Sequence, residues 1–311
     1  MTASSVGSAV TVVLNPVSGT ATRGLAPRDV LSRATAAVRA SGLDAQVVMT
    51  EGVGHAGDLA RAAVRTGASA VVAWGGDGTV NEVAAALAHT SVALAIVPRG
   101  SGNGLARMLG VPCDPVAALR AVSEGSTRRI DVGTCDGRIF VNIAGVGLDA
   151  AIAHGFATVG RQRRGMLRYA QVTARELWAF RARPVRITLN GTSTRVVPLM
   201  VAFANGSQYG NGAFIAPGAV LDDGLLNVVA VGDRSLLAAV RQIPALFSGR
   251  VASVAGVSTQ RTTRVVVEDT EPIRYHVDGE PCTGGTRLEV MILAGALRVI
   301  SPQPGDQSMK R

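Results

Sequence analysis

The chain has 311 residues, of which 47% are hydrophobic and 17% charged. This composition supplies enough apolar sequence for two folded cores and excludes extended disorder. The formal net charge is +9 and comes almost wholly from arginine, which suits nucleic acid, anionic lipid or phosphate-bearing substrates. Aromatic residues make up only 4% and do not alternate with basic residues, so we expect no nucleic-acid partner.

The three cysteines, Cys113, Cys135 and Cys282, are widely spaced and form no CxxC pair. This favours free thiols over a disulfide framework or a zinc site. Residues 1–9 lack the basic and apolar regions of a secretory signal. No stretch of about 18 uninterrupted apolar residues is present that could span a bilayer. These features predict a cytoplasmic protein that works at a membrane only from the surface.

The N-terminal part of the chain alternates strand patterns with amphipathic helix patterns. Strands are predicted at 9–14, 45–50, 69–74 and 92–97, and helices at 27–41, 54–66 and 79–89. This alternation predicts a doubly wound parallel sheet with helices on both faces. Ligands of such sheets bind beyond the carboxyl ends of the strands. Glycine-bearing loops follow three of the strands, so we expect these loops, 15–20, 75–79 and 100–104, to gather at one edge.

The loop after the third strand carries the clearest chemical signal. Its three glycines, between a strand and a helix, let the backbone turn sharply and offer N–H groups to phosphate. Asp77 is unexpected in a phosphate loop, because a carboxylate repels phosphate; it suits Mg²⁺ or a role as proton acceptor. Thr79 could cap the following helix. The alternative is a tight β–α turn in which Asp77 only caps backbone groups. Neither a Walker A lysine nor a dinucleotide fingerprint is present.

From about residue 130 strand-like runs dominate, interrupted only by helices predicted near 165–181 and 235–247. Asn190-Gly191 between two of the runs predicts a β-hairpin turn. This pattern predicts a mostly antiparallel β domain, a β-sandwich or an open barrel. The predicted fold is therefore α/β, with a doubly wound α/β domain at 1–129 followed by a β-rich domain at 130–311.

Acidic residues recur in two turns of the second half. Asp222 and Asp223 are adjacent, and a hard cation would relieve their repulsion, although Asp-Gly is also an ordinary hairpin turn. Asp278 and Glu280 would face the same side of an extended chain, and the alternative is a hairpin turn with solvated acids. The histidines are too scattered for a zinc site, and His276 is notable only for its proximity to Asp278.

Six short motifs follow one another along the chain. They are Asn15-Pro16-x-Ser18-Gly19, Gly75-Gly76-Asp77-Gly78-Thr79-x-Asn81-Glu82, Pro98-x-Gly100-Ser101-Gly102-Asn103, Asn142-x-Ala144-Gly145-x-Gly147-x-Asp149, Leu221-Asp222-Asp223-Gly224-Leu225-Leu226 and Val277-Asp278-Gly279-Glu280-Pro281. Together they resemble the catalytic domain of the diacylglycerol kinase and sphingosine kinase family, although Gly-Gly-Asp-Gly alone also occurs in NAD kinases and phosphofructokinases. The resemblance implies an enzyme that transfers phosphate from ATP to a lipid. It also implies that the domain at 1–129 binds the nucleotide, that the β-sandwich domain at 130–311 binds the lipid substrate, and that a cleft lies between them.

The resemblance also implies roles for individual residues. The ATP contacts would fall on Asn15, Pro16, Val17, Ser18, Gly19, Thr50, Gly75, Gly76, Asp77, Gly78, Thr79, Glu82, Ser101 and Asn103. Asp278 would be the proton acceptor, supported by Glu280, while Asp77 and Asp131 would hold a catalytic Mg²⁺ through water. A structural Mg²⁺ would bind the Asp223 side chain and the backbone oxygens of Val220 and Leu225.

Two departures from the family pattern concern the acceptor lipid more than the reaction. Thr20 stands where many bacterial members have a basic residue, with Arg23 slightly later, and Gly104 stands where many diacylglycerol kinases have an acid. The Ser-Gly-Asn form of the third loop is closer to the sphingosine-kinase-like branch. Two other functions stay open: an NAD-kinase-like nucleotide kinase, and a catalytically silent regulator that binds nucleotide or lipid. A homodimer is also left open.

The segment 161–186 combines arginines with apolar residues at helical spacing. The arginines are Arg161, Arg163, Arg164, Arg168, Arg175, Arg181, Arg183 and Arg186. We hypothesise that this basic amphipathic helix docks on anionic lipid so that the acceptor can enter, which would make the protein peripherally membrane-associated. The alternative is a helix packed on the β domain with solvated arginines.

Overall fold

The computed structural model describes residues 10–19, 24–158, 166–210, 212–232, 245 and 247–303. The chain forms two compact units: residues up to Ile130 together with those from Gly295 onward, and Asp131–Ala294. The sequence-based division placed the boundary at 129/130 and assigned everything after it to one domain. In the structure the chain returns to the first unit at Gly295.

The first unit is built on a parallel sheet. Its elements are β1 (Val10–Leu14), α1 (Pro27–Ser41), β2 (Ala45–Met49), α2 (His55–Arg65), β3 (Ala70–Gly75), α3 (Asp77–Leu87), β4 (Ala93–Pro98), α4 (Gly104–Met108) and α5 (Pro115–Glu124). The strand order is β2-β1-β3-β4, with every neighbouring pair parallel. The end of a later strand adds to this sheet, because Val299 pairs in parallel with Leu94.

Helices cover both faces of the parallel sheet. On one face, α1 packs against α5 over alternate strand residues such as Val12, Val72 and Ala95, in a cluster that also contains Ile300. Side chains of successive strand residues point to opposite faces, so the equally buried Val13 and Leu94 face the other side, where α2 packs against α3. The doubly wound α/β sheet predicted from sequence is confirmed.

The second unit is mostly antiparallel β-structure. The chain enters it within β5 (Ser126–Cys135) and leaves it within β16 (Arg287–Ser301). Between these lie β6 (Arg138–Phe140), β7 (Ile143–Gly147), α6 (Leu148–Thr158), α7 (Met166–Ala179), β8 (Val185–Leu189), β9 (Thr192–Val196), β10 (Pro198–Ala204), β11 (Leu226–Gly232), a 3-10 helix (Val251–Ser253), β12 (Val257–Thr262), β13 (Arg264–Glu268), β14 (Arg274–Val277) and β15 (Glu280–Thr283).

Two layers of strands enclose the core of the second unit. One sheet has the order β12-β11-β10-β7-β14-β15, and the other layer contains β16, β13, β8 and β9, with β5 and β6 paired beside them. A single apolar cluster draws buried side chains from both layers, including Phe203, Leu226, Val265 and Leu288. The antiparallel sandwich predicted from sequence is confirmed.

The hairpin predicted at Asn190-Gly191 joins β8 and β9, with both residues at positive φ, 49° and 80°. The prediction of only two helices in the second half was wrong, because α6 was missed. Its segment Leu148–Thr158 is apolar nearly all round, and so lacks an amphipathic period. The helix predicted near 235–247 falls largely outside the described residues. Among the described residues, no helix is long and apolar enough to cross a bilayer.

Candidate functional site

Three loops of the first unit meet at the carboxyl edge of the parallel sheet, because β1, β3 and β4 are parallel neighbours. Asn15, directly after β1, donates from Nδ2 to the hydroxyl of Thr79 at 2.9 Å. The backbone N–H of Asn15 also bonds the carbonyl of Trp74 at 2.9 Å. The first loop is thereby fixed to the turn between β3 and α3, as its position in the parallel order predicts.

Glycines allow the three loops to approach one another closely. Gly19 has φ +80°, and a Cβ at this position would lie 2.4 Å from the carbonyl oxygen of Arg99. A Cβ on Gly100 would lie 2.8 Å from the Cα of Gly76. Any larger residue at these positions would push the loops apart. The glycine signal in the sequence therefore reflects backbone-to-backbone packing as well as access for a ligand.

Asp77 joins the second of these loops to the third. Its Oδ1 accepts from the N–H of Gly104 at 2.7 Å, and its Oδ2 accepts from the N–H of Asn103 at 2.9 Å. Both carboxylate oxygens thus satisfy backbone groups at the start of α4. This arrangement explains how a carboxylate can lie in a phosphate-type loop, and it agrees with the capping alternative.

The side chain of Asn103 folds the third loop on itself. Its Oδ1 accepts from the N–H of Gly100 at 2.8 Å, and its Nδ2 donates to the carbonyl of Gly100 at 2.8 Å. Asn103 also has φ 51°, a left-handed conformation that asparagine tolerates better than most residues. We therefore assign Asn103 to shaping the loop, a role that its amide can fill whether or not a nucleotide is bound.

The first turn of α3 faces the same edge. The cap residue is Gly76, which has no side chain to accept from the first N–H groups of the helix. The expectation that Thr79 caps this helix was wrong, because its buried hydroxyl accepts from Asn15 instead. A helix N-terminus whose cap offers no acceptor is a favourable position for phosphate oxygens.

Glu82 holds the second strand's loop in place. Its two carboxylate oxygens accept from the N–H of Gly54 at 2.9 Å and of Ala56 at 3.0 Å, at the start of α2. The buried Thr50, directly after β2, donates its N–H to the carbonyl of Leu14 at 2.9 Å. Glu82 therefore positions the loop that carries Thr50.

Replacing Glu82 with glutamine is expected to destabilise the protein by about 1–3 kcal/mol, because an amide cannot accept at both positions and one N–H loses its acceptor. Urea unfolding followed by circular dichroism measures this difference. Asp58→Asn is the matched control on α2, since its exposed pair with Arg61 should contribute little. Equal stability of Glu82→Gln and wild type would show that the hydrogen bond lost in the variant is dispensable.

The other residues expected to contact the nucleotide also lie on these loops. Val17 is 76% exposed, Ser101 is also exposed, and Pro16 and Gly78 are half-buried. Ser18 and Gly19 complete the first loop, while Thr20 and Arg23 lie outside the described residues.

In the second unit, Asp278 occupies a nest of backbone donors. Its Oδ1 accepts from the N–H groups of Asn142 at 2.9 Å and Ile143 at 3.0 Å, and its Oδ2 accepts from Val141 at 2.8 Å. Three successive N–H groups form a concavity that suits an anion. The carboxylate is thus held at the junction between β6 and β7, a feature that the sequence did not indicate.

The expected extended geometry around Asp278 was wrong. Asp278 and Gly279, with φ 47° and 83°, form a two-residue turn between β14 and β15, and both positive φ values match the tight hairpin type. Glu280 is the first residue of β15 and is exposed. The hairpin alternative was correct for the backbone, but Asp278 is not simply solvated.

Asp131 and Asp223 both lie in the second unit, in or beside the loop that precedes β11. The buried Asp131 accepts through Oδ2 from the N–H of Gly224 at 2.7 Å, and its own N–H bonds the carbonyl of Leu221 at 2.6 Å. Asp223 accepts from the N–H of Leu225 at 3.0 Å and forms an ion pair with Arg261.

The acidic residues expected to hold Mg²⁺ already have protein partners. Asp223, the expected side-chain ligand, forms an ion pair with Arg261. Among the described residues, no group of three or more acidic, histidine or cysteine side chains could hold a metal ion. Asp131, expected to bind Mg²⁺ through water, orders the Asp-Asp-Gly loop through its contacts with Gly224 and Leu221. The site built on Asp223 and the backbone oxygens of Val220 and Leu225 stays a prediction.

The two strands on either side of the Asp278 turn, β14 and β15, bury the ionisable side chains of Tyr275 and Cys282. Burial raises the pKa of Tyr275 to about 12 and also raises the pKa of the Cys282 thiol. Both side chains belong to the apolar cluster of the second unit. Cys113, Cys135 and Cys282 are all free, which confirms the prediction of free thiols.

Comparison with known proteins covers almost the whole chain. Residues 9–135 match the family described as "Diacylglycerol kinase catalytic domain". Residues 142–301 match "YegS C-terminal NAD kinase beta sandwich-like domain". The two matches adjoin near the entry of the chain into the second unit.

Individual proteins with similar sequences extend the comparison. A protein named "Diacylglycerol kinase" from Mycobacterium tuberculosis is 33% identical over 304 residues, 95% of this chain and 96% of that protein. "Probable lipid kinase YegS-like" from Chromohalobacter salexigens is 32% identical over 270 residues, 86% of each chain. A crystal structure described as a diacylglycerol kinase from Bacillus anthracis superposes with a TM-score of 0.71, at 21% identity, over 96% of this chain and 97% of that one.

Proposed function

Because the chain belongs to the family of diacylglycerol kinases and YegS-like lipid kinases, we propose that it transfers the γ-phosphate of ATP to a hydroxyl group of a lipid. The observation that carries this proposal is the joining of three glycine loops at one sheet edge by Asn15, Asp77 and Asn103. Such an edge offers backbone N–H groups to a triphosphate.

The nucleotide would be bound by backbone and side chain of the first unit. We assign its phosphates to the first turn of α3, where Gly76 leaves the helix N–H groups without a side-chain acceptor from the cap position. Asn15 and Asp77 keep the neighbouring loops in register. We propose that the catalytic Mg²⁺ would be bound mainly by the phosphate oxygens of ATP, as is usual for this ion in kinases.

Phosphoryl transfer needs alignment, charge stabilisation and a proton acceptor near the attacking hydroxyl. We assign the acceptor role to Asp278. As the hydroxyl oxygen forms its bond to the γ-phosphorus, its proton passes to a carboxylate oxygen of Asp278, and the bond from phosphorus to the ADP oxygen breaks.

The test is incubation of the purified protein with γ-labelled ATP and a panel of acceptors in mixed micelles. The panel contains diacylglycerol, monoacylglycerol, sphingoid base and NAD. Label in one or more of the lipids supports the proposal. Label in NAD alone would favour a nucleotide kinase, and nucleotide binding without transfer to any acceptor would favour a silent regulator.

We also propose that α7 brings the protein to anionic lipid. Trp178 near its end is 73% exposed, an unusual position for a large aromatic residue. The exposed Arg175 and Arg181 lie within three residues of it along the chain. Arg175 also forms an ion pair with the adjacent Glu176, and Arg183 pairs with Asp269 and Glu271 of the same unit. Arg161, Arg163 and Arg164 lie outside the described residues, as does the side chain of Arg168.

The double variant Arg175→Glu/Arg181→Glu is expected to reduce binding to vesicles that contain phosphatidylglycerol by at least about tenfold. Each cationic side chain near an anionic surface contributes about 1 kcal/mol, and the variant also reverses both charges. Vesicle co-sedimentation at low and high salt measures the effect. Arg195→Glu on β9 is an exposed control in the same unit. Vesicle binding that changes neither with the salt concentration nor in the double variant would exclude docking through α7.

A further inference from the structure

A buried polar network lies directly behind the Asp278 turn. His276, only 3% exposed, places Nε2 3.2 Å from Oδ2 of Asp149. The hydroxyl of Tyr209 donates to the same oxygen at 3.1 Å. Oδ1 of Asp149 accepts from the N–H of Ala150 at the start of α6, at 2.8 Å. Three ionisable side chains are thus joined inside the second unit, and sequence analysis assigned none of them a role.

The hydrogen bonds indicate which ring nitrogen of His276 carries the proton. The N–H of Gly279 donates to Nδ1 at 3.3 Å, so Nδ1 acts as the acceptor. Nε2 therefore carries a hydrogen and donates to Asp149. The imidazole links the backbone of the turn to a carboxylate fixed at a helix start.

Gly145 leaves room for the Asp149 carboxylate beside the imidazole of His276. Gly145 pairs with His276 across β7 and β14. A Cβ at Gly145 would lie 2.0 Å from Oδ2 of Asp149 and 3.1 Å from Nε2 of His276. Only a glycine at this strand position lets the carboxylate reach the imidazole.

The Asp278-Gly279 turn is held from two sides. The N–H groups of residues 141–143 bind the Asp278 carboxylate, and His276 binds the next backbone N–H along the chain, that of Gly279. Asp278 has φ 47°, the left-handed conformation that this two-residue hairpin turn requires and that Asp-Gly pairs favour. The nest fixes the carboxylate, and the imidazole fixes the turn.

We propose that His276, oriented by Asp149 and Tyr209, is a positioning residue for Asp278. This inference rests on the proposed function, because it gives the network the task of orienting Asp278, the proposed proton acceptor. Without the imidazole, the N–H of Gly279 loses its acceptor and the turn is held from one side only. The carboxylate then moves relative to the hydroxyl that it must deprotonate.

The test compares His276→Leu with His276→Gln in steady-state kinetics on the best acceptor of the panel. His276→Leu is expected to lower kcat by about 10²-fold, the scale on which a displacement of about 1 Å acts, with the KM for ATP within about twofold. His276→Gln should recover most of the loss, because its amide nitrogen can donate to Asp149 and its amide oxygen can accept from the N–H of Gly279. The matched control is His154→Leu, a half-buried histidine of the same unit that contacts the carbonyl of Cys282 at 3.0 Å.

Hydrogen exchange of the 277–280 backbone is measured on the same variants by mass spectrometry. Faster exchange that is confined to this turn in His276→Leu, and does not occur in His154→Leu, supports the positioning role. This result would support it even if the wild type phosphorylated no lipid, and only the proposed function would then fail. Unchanged kcat and turn exchange in a folded His276→Leu protein would overturn the inference. A loss of kcat in proportion to the unfolded fraction of the His276→Leu protein, with no recovery in His276→Gln, would also overturn the inference.

Discussion

Replacing Asp278 with asparagine is expected to lower kcat for lipid phosphorylation by about 10³-fold, within the range of about 10² to 10⁴ that a positioned base contributes. Asparagine keeps the shape of the side chain but cannot take up the proton. It also turns an amide NH₂ toward N–H groups of Val141, Asn142 and Ile143 that now bind carboxylate oxygens. ATP affinity, measured by calorimetry, should stay close to the wild-type value.

The chain contains a closely matched control for this variant. Asp136 and Gly137, with φ 50° and 76°, form a second Asp-Gly turn in the same unit, between β5 and β6, and Asp136 is exposed. Asp136→Asn changes the same atoms in the same backbone conformation, and its kcat should equal that of the wild type. If both variants, or neither, lose activity, Asp278 does not act as the proton acceptor.

Replacing Asp77 with alanine is expected to lower kcat/KM by about 10²-fold, because a shift of about 1 Å in a positioning loop has an effect of this size. The variant leaves the N–H groups of Asn103 and Gly104 without their acceptor, so the third loop is no longer tied to the second. ATP binding, with and without Mg²⁺, distinguishes two causes. A role in shaping the loops predicts equal weakening in both conditions, whereas a role in holding Mg²⁺ predicts weakening only when Mg²⁺ is present.

Asp114 provides the control for Asp77. It caps α5 in the same unit, where its Oδ1 accepts from the N–H of Ala117 at 2.8 Å. Asp114→Ala should cost about 0.5–2 kcal/mol of stability, as loss of a helix cap does, and leave kcat/KM unchanged. Comparable kinetic losses in both variants would attribute the effect of Asp77 to general destabilisation.

The layout of the fold could be predicted because local patterns and global packing agree. Alternating apolar strands and helices specify the parallel sheet, and the meeting of three loops follows from the parallel order of β1, β3 and β4. The Asn190-Gly191 turn could be predicted because few residues accept two successive positive φ values.

The contacts of the acidic residues could not be predicted in the same way. The nest around Asp278 is made by backbone N–H groups of residues 141–143, more than a hundred positions earlier, and any side chain could accompany those groups. The pairing of Asp223 with Arg261 likewise depends on the register of β11 and β12. Sequence motifs singled out these carboxylates, but only the tertiary structure shows which groups of the protein each of them contacts.

The return of β16 to the first unit has a consequence for biosynthesis. Val299 pairs with Leu94, Ile300 lies in the core over α1 and α5, and the carbonyl of Ala296 accepts from the N–H of His89. A ribosome delivers these residues after the second unit, so the N-terminal unit cannot complete its sheet until the whole intervening β-structure has been synthesised. A fragment that ends at Ile130 would leave β4 as a bare sheet edge, which is prone to pairing with other chains.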